Sequence, residues 1–297
     1  MNDIGYAHGV IKRLLAAIVI LTLGGCSWFS WLPWVDDDTA EDATEPAKLQ
    51  PFDAEVDVSV QWKRQVGDGL GKKYIRLMPG VVADRIIAAD GYGLLVAYDR
   101  FTGQPVWQQQ FDAVERSGFS IAGLLDRRDP AFVSGGVGIG AGMVLVGTTH
   151  GEVIALDVAD GSERWRSRVG TEVGAAPTAG VGKVFVQTID DRVSALDADS
   201  GDLVWTYDSQ MPLLTLRGTS APVFDQGVLY TGFANGKVVA LRGENGEPIW
   251  EQRVMLPEGR SELDRIVDVD ARVLLDGGSM YALAYQGRVA AISRREG

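Results

Sequence analysis

Imidazole and thiol chemistry in this chain is limited to two histidines, His8 and His150, and one cysteine, Cys26. One cysteine excludes a disulfide framework and every zinc site that needs two or more thiolates. A Ser-His-Asp triad would have to use His150. That residue precedes Gly151 where other segments carry the turn pairs Asp190-Asp191 and Asn235-Gly236, so it reads as a surface turn residue. The segment Gly136-Val-Gly138-Ile-Gly140-Ala141 matches a loose G-x-G-x-x-A dinucleotide pattern. Met143-Val-Leu-Val-Gly147 follows it, which is a strand and not a helix. No helix N-terminus would therefore meet a phosphate, and the segment reads as a glycine-rich hairpin. No P-loop pattern occurs. Asp36, Asp37 and Asp38 have no ordered loop to hold them, and Asp264, Asp268 and Asp270 lack the spacing and central glycine of a calcium loop. No catalytic, metal or cofactor site is expected. The 40 acidic against 28 basic residues, a net charge of −12, argue against broad nucleic-acid binding, which needs clustered Lys and Arg. At 46% hydrophobic the chain has the composition of a folded protein.

Cys26 has a different use. Lys12 and Arg13 precede the ten-residue apolar run Leu14–Leu23. As a helix that run would rise about 15 Å, roughly half a bilayer core. Residues 1–25 are therefore expected to be a signal peptide and not a membrane span. The ending Leu23-Gly24-Gly25-Cys26 resembles a bacterial lipobox. The resemblance implies cleavage before Cys26, acylation of that cysteine with palmitate-type chains, and, with Ser27 next in place of Asp, an outer-membrane destination. Three acyl chains anchor stably where one alone is marginal. Residues 26–55 are expected to form a lipidated, acidic, flexible tether. Trp28, Trp31 and Trp34 suit either the headgroup layer or packing on the folded domain, and the sequence leaves both open. The stretch that follows, DDDTAEDATEPAKLQPFDAE, reads as a solvated spacer.

Residues 56–297 are a repeat. Ala97-Tyr-Asp99-x-x-x-Gly103-x-x-x-Trp107 recurs from Ala155 to Trp165, from Ala195 to Trp205 and, with Arg242 in place of Asp, from Ala240 to Trp250. A fifth copy starts at Ala291 and reaches Gly297, and an unaccompanied Trp62 precedes them all. Pro79, Pro177 and Pro222 each lie 24 residues before a motif glycine. Each unit reads as strand, polar turn, alternating strand, Asp-x-x-x-Gly turn and a short strand bearing Trp, with a further strand near the proline. A four-stranded unit of about 40–45 residues is a propeller blade. The expected fold is all-β: a β-propeller of four-stranded antiparallel blades, about five of them here, with the last stopping in mid-blade. Trp62 reads as a closing strand of the last blade. Left open, such an array would expose strand edges and apolar blade faces. The Asp and Gly are turn devices, and the Trp is expected between neighbouring blades.

The repeat resembles the blade motif of pyrroloquinoline-quinone-dependent dehydrogenases. Taken with the lipobox and the segments Met211–Pro222 and Glu262–Asp270, the chain resembles the BamB family. These are eight-bladed propeller lipoproteins of the bacterial outer-membrane β-barrel assembly machinery. The resemblance implies a non-enzymatic scaffold at the outer membrane, facing the periplasm. It would bind the POTRA domains of BamA, join the rest of the assembly complex and help deliver unfolded outer-membrane proteins. It maps partner-binding residues onto Leu214, Leu216, Arg217, Asp268 and Asp270. The departure is length, since about two blades of eight are lacking. The alternatives are a periplasmic quinoprotein dehydrogenase, which would want vicinal cysteines and an axial acidic cluster, or a propeller lipoprotein with another envelope partner.

The repeat register checks the mapping. Arg217 lies five residues before Pro222, and Asp268 lies five before Val273, the position equivalent to that proline. Both therefore fall in inter-blade connections of adjacent blades, on one rim. Loops on a rigid scaffold are where binding residues concentrate. Leu214 and Leu216 would supply an apolar hot spot, with Arg217 and the aspartates setting orientation. Arg217 could instead pair with Asp268 or Asp270 across the junction.

Overall fold

The computed structural model describes residues 49, 55–70, 75–111 and 133–297. The expected signal segment, Cys26, the three tether tryptophans and Asp36–Asp38 lie outside them. One unit ends at Val58, and Ser59–Gly297 forms a second, compact unit, to which everything below refers.

The second unit is built of antiparallel sheets that follow one another along the chain. The first comprises β1 (Gly80–Val82), β2 (Arg85–Ala89), β3 (Leu94–Asp99) and β4 (Pro105–Gln110). The second comprises β5 (Val133–Gly140), β6 (Met143–Thr148), β7 (Glu152–Asp157) and β8 (Glu163–Arg168). The third has β9 (Thr178–Gly180), β10 (Lys183–Gln187), β11 (Arg192–Asp197) and β12 (Leu203–Asp208). The fourth has β13 (Val223–Asp225), β14 (Val228–Gly232), β15 (Lys237–Arg242) and β16 (Pro248–Arg253). The fifth has three strands, β17 (Leu274–Asp276), β18 (Ser279–Leu283) and β19 (Val289–Ser293). Strand order within each sheet is sequence order, which is the blade topology expected from the repeat. The first strands β1, β5, β9 and β13 lie side by side in that order, so they line the propeller axis. The glycine-rich segment is the hairpin β5–β6, as its sequence implied.

Burial follows strand position. The middle strands are apolar almost throughout and covered on both faces; every residue of β6 is buried. The fourth strands alternate, and in β8 the sequence ERWRSR turns only Trp165 fully inward. A blade is thus a sheet with two buried faces and one wet outer edge strand. Each apolar core is shared by consecutive blades: Leu95 with Val144 and Ile154, Leu145 with Val184 and Leu196, Phe185 with Leu229 and Val239, and Tyr230 with Met280 and Ala282. The fifth sheet differs on one face. Val289 holds the register position of Val193 and Val238, both fully buried, yet is 66% exposed, and Leu283 beside it is exposed too.

The tryptophans make the joints. Trp62, Trp107, Trp165, Trp205 and Trp250 each donate an indole N–H to a backbone carbonyl of the next blade: Arg100, Val158, Ala198, Gly243 and Arg294, at 2.9 to 3.2 Å. Each ring also covers the motif glycine of that blade. Trp62 stands to the first blade as Trp107 stands to the second, the place of a closing strand's tryptophan. Trp165→Phe keeps most of the ring but orphans the buried Ala198 carbonyl. It is expected to cost about 1–2 kcal/mol, read as a lowered urea midpoint; an unchanged midpoint would show that the indole bond contributes nothing net.

Candidate functional site

Because blade strands alternate in direction, the turn after each first strand and each Asp-x-x-x-Gly turn share one rim. The turns between second and third strands share the other rim with the connections between blades. The first rim is tight. Asp157 Oδ1 accepts from the amide of Ala159, and Asp197 Oδ1 from those of Asp199 and Ser200. The carboxyl of Asp157 lies below its ordinary range, chiefly through Arg164, and that of Asp197 through the two amides. The second rim carries the long connections 209–222, between β12 and β13, and 254–273, between β16 and β17. All five residues marked by the resemblance lie there.

They divide into an exposed and a buried set. Leu214 and Leu216 are 39% and 44% exposed, and the neighbouring Met211 and Leu213 are exposed as well. Arg217 has a left-handed backbone (φ 56°) and an exposed side chain. Its guanidinium does not meet Asp268 or Asp270; it pairs with Glu172 Oε2 at 3.0 Å, from the connection between the second and third blades. Glu172 lies five residues before Pro177, the offset that marked Arg217, so the register held the signal that would have found it.

Asp268 is 1% exposed. Its Oδ2 accepts the amide of Leu216 at 2.7 Å, while its Oδ1 has no partner. Asp270 Oδ1 is likewise buried and unpartnered, and its carboxylate occupies the space where a Cβ on residue 218 would project, so a side chain at Gly218 would displace it. The sequence had marked Asp191 only as a turn residue. It is 3% exposed, and its Oδ2 accepts the amide of Ala234 at 3.0 Å. Burial is the first cause in all three and raises each carboxyl: Asp191 to about 7, Asp270 to about 6, and Asp268 in the same direction. The charges of Asp268, Asp270 and Asp190 push Asp191 further, while the Ala234 amide opposes; Arg76 opposes the rise at Asp270. Among the described residues no group of three or more His, Cys, Asp or Glu is placed to hold a metal ion. Asp264 instead ties its own turn, accepting the amide of Ser261 at 3.1 Å.

On the axial side, Leu216, Arg217, Glu172, Asp270, Arg76 and Arg272 border a cavity of about 770 Å³ between the first strands. The site is thus an apolar arch, Met211–Leu216, beside an arginine fixed by another blade, above buried carboxylates. It holds no nucleophile–base pair. What it presents is an exposed apolar surface beside one polar anchor.

The class is therefore a propeller of quinoprotein-like repeats that presents a loop surface at one rim. A family model described as outer membrane protein assembly factor BamB matches residues 52–122 and 116–297. The BamB of Pseudomonas aeruginosa is 43% identical over 98% of this chain and 68% of its own length. The crystal structure of BamB from Moraxella catarrhalis superposes with a TM-score of 0.64 at 30% identity, covering 73% of this chain and 60% of that one. A quinohemoprotein alcohol dehydrogenase from Comamonas testosteroni superposes with a TM-score of 0.54 at 19% identity, over 75% of this chain and 42% of the other, a likeness of fold alone. The chain belongs to the BamB family of outer membrane protein assembly factors, and that membership places its role in the assembly of outer membrane proteins.

Proposed function

We propose that the chain is a non-enzymatic scaffold subunit of the β-barrel assembly complex, lipid-anchored through Cys26 to the outer membrane and facing the periplasm. It docks on the POTRA region of BamA through Leu214, Leu216 and Arg217 and assists the delivery of unfolded barrel proteins. The observation that carries this reading is the exposed pair Leu214 and Leu216 beside Arg217, on the loop-bearing rim of a propeller of this family. Apolar side chains beside one oriented arginine make the kind of small hot spot that dominates protein interfaces.

The test is co-purification from detergent-solubilised membranes. The tagged parent chain is expected to bring BamA with it. Arg217→Glu places a carboxylate beside Glu172 and removes the anchor. It is expected to weaken BamA binding by about 2 kcal/mol or more, roughly thirtyfold, with an unchanged unfolding midpoint. Absence of BamA from the parent preparation under mild detergent would overturn the reading. So would dye reduction by the purified chain supplied with pyrroloquinoline quinone.

A further inference from the structure

The exposed arch Met211–Leu216 has no regular secondary structure, yet both of its ends are tied to buried groups of other segments. At the start, the Ser209 amide donates to the Asp191 carbonyl at 3.1 Å. Asn235 Nδ2 donates to Ser209 Oγ at 3.0 Å and to the Gln210 carbonyl at 2.9 Å. Asn235 sits in the turn β14–β15, and the preceding residue of that turn, Ala234, is held by the Asp191 carboxylate. At the far end, Asp268 Oδ2 accepts the Leu216 amide across 52 residues of sequence. Asp268 is itself held from behind, its carbonyl accepting the Tyr285 amide at 2.8 Å. Just beyond the arch, Ser220 Oγ donates to the Ala271 carbonyl at 3.0 Å. The blades on either side therefore hold the ends, and the apolar side chains between them are left exposed.

We infer that Asp191 and Asp268 are positioning residues: buried carboxylates that hold the two ends of the arch Met211–Leu216 through the amides of Ala234 and Leu216, and so pre-form the docking surface without touching the partner. At 3% and 1% exposed they have almost no surface to offer a partner. A buried side-chain oxygen accepting a backbone amide makes a directional tie, and without it that amide would be left unpaired in a desolvated place. A loop of exposed leucines without such ties would have to be ordered on binding, and that ordering would weaken the complex. Asp268, which the family resemblance makes a contact residue, acts from inside the propeller. Asp191 acts in the same way from the third blade.

The binding half of the inference rests on the docking reading above; the positioning half does not, and the two are measured separately. Amide hydrogen exchange is followed on the chain alone, in the parent, Asp268→Ala, Asp268→Asn, Asp191→Ala and Asp191→Asn. Asp268→Ala is expected to speed exchange at Leu216, and Asp191→Ala at Ala234, roughly tenfold or more. Exchange in strands β10 and β14 should stay as in the parent. The Asn variants keep an acceptor oxygen in place and are expected to restore most of the protection. Affinity for the purified periplasmic region of BamA should then fall roughly tenfold in the Ala variants and recover in the Asn variants, whereas Arg217→Glu loses binding with Leu216 still protected. Unchanged exchange at Leu216 in Asp268→Ala overturns the positioning role, whatever binds. Faster exchange with undiminished BamA affinity overturns its link to docking. If the parent itself does not bind BamA, the functional reading fails, while exchange still decides the positioning role.

Discussion

Gly201→Val is expected to be among the most damaging single substitutions in the propeller, lowering stability by about 2–5 kcal/mol. Gly201 closes the Asp-x-x-x-Gly turn of the third blade with φ 77°, and its amide donates to the Asp197 carbonyl at 2.9 Å. A β-branched residue is strained there by contact of its side chain with its own backbone. The second cost comes from the neighbouring blade, because a Cβ on this glycine would fall 2.7 Å from the Trp165 ring. Trp165 is buried and bonded to Ala198, so it cannot swing away without losing that bond. The loss is comparable to a large share of a typical domain's stability of about 5–15 kcal/mol. A lowering of the thermal midpoint by about 5–15 °C would read it out. Gly201→Ala measured in the parent and in a Trp165→Ala background separates the two causes. Relief in the second background measures the clash with the ring, and what remains measures the left-handed turn together with the contact to Ser167 Oγ at 2.5 Å. A shift below about 1 kcal/mol for Gly201→Val would mean that the blade joint is soft, contrary to its packing.

The second large effect is on pH dependence. Asp191, Asp268 and Asp270 share the buried side of the loop-bearing rim, and burial raises all three carboxyls, to about 7 for Asp191 and about 6 for Asp270. In the unfolded chain these groups return to the ordinary carboxylate range near 3.9. Between about pH 4 and 7 the folded state therefore holds protons that the unfolded state has released, and stability falls as pH rises through that window. The contribution is complete below the unfolded value and lost above about 7. The unpartnered oxygens Asp268 Oδ1 and Asp270 Oδ1 mark where such protons have room to sit. The exposed turn aspartates Asp99, Asp157 and Asp197 have the opposite sign: their carboxyls are lowered by hydrogen bonds, so their contribution is lost as pH falls below the ordinary range. The thermal midpoint is expected to peak near pH 4 and to drop between about pH 4 and 7 by a few degrees, corresponding to about 1–3 kcal/mol. Asp191→Asn removes the largest rise while keeping an acceptor for Ala234, and should flatten that slope. A variant that loses stability with pH as steeply as the parent would place the source elsewhere.

The repeat was legible because its determinants are local and periodic. A turn that needs a left-handed residue selects glycine at a fixed offset from the aspartate whose oxygens tie its amides, and the strand that follows carries Trp four residues on. Hence Gly103, Gly161, Gly201 and Gly246 announced four blades, and Gly297 a fifth. The same spacing told that Arg217 and Asp268 stand at equivalent connections on one rim, and the leucines of the arch are exposed as an arch on that rim would have them.

The amino-acid sequence by itself thus determined the blade architecture, the tryptophan joints and the rim that bears the long connections. Tertiary structure alone decided which charged groups on that rim are surface and which are interior. Arg217 pairs with Glu172, 45 residues away, and not with the aspartates that share its register. Asp268 and Asp191, as polar in sequence as any exposed turn residue, are covered by segments from neighbouring blades and hold backbone amides 52 and 43 residues distant. Turn geometry is settled within about five residues, so a single sequence displays it. Burial is a sum over every element that packs around a group, and a carboxylate's partner, charge and role follow from that sum, which exists only once the blades have closed against one another.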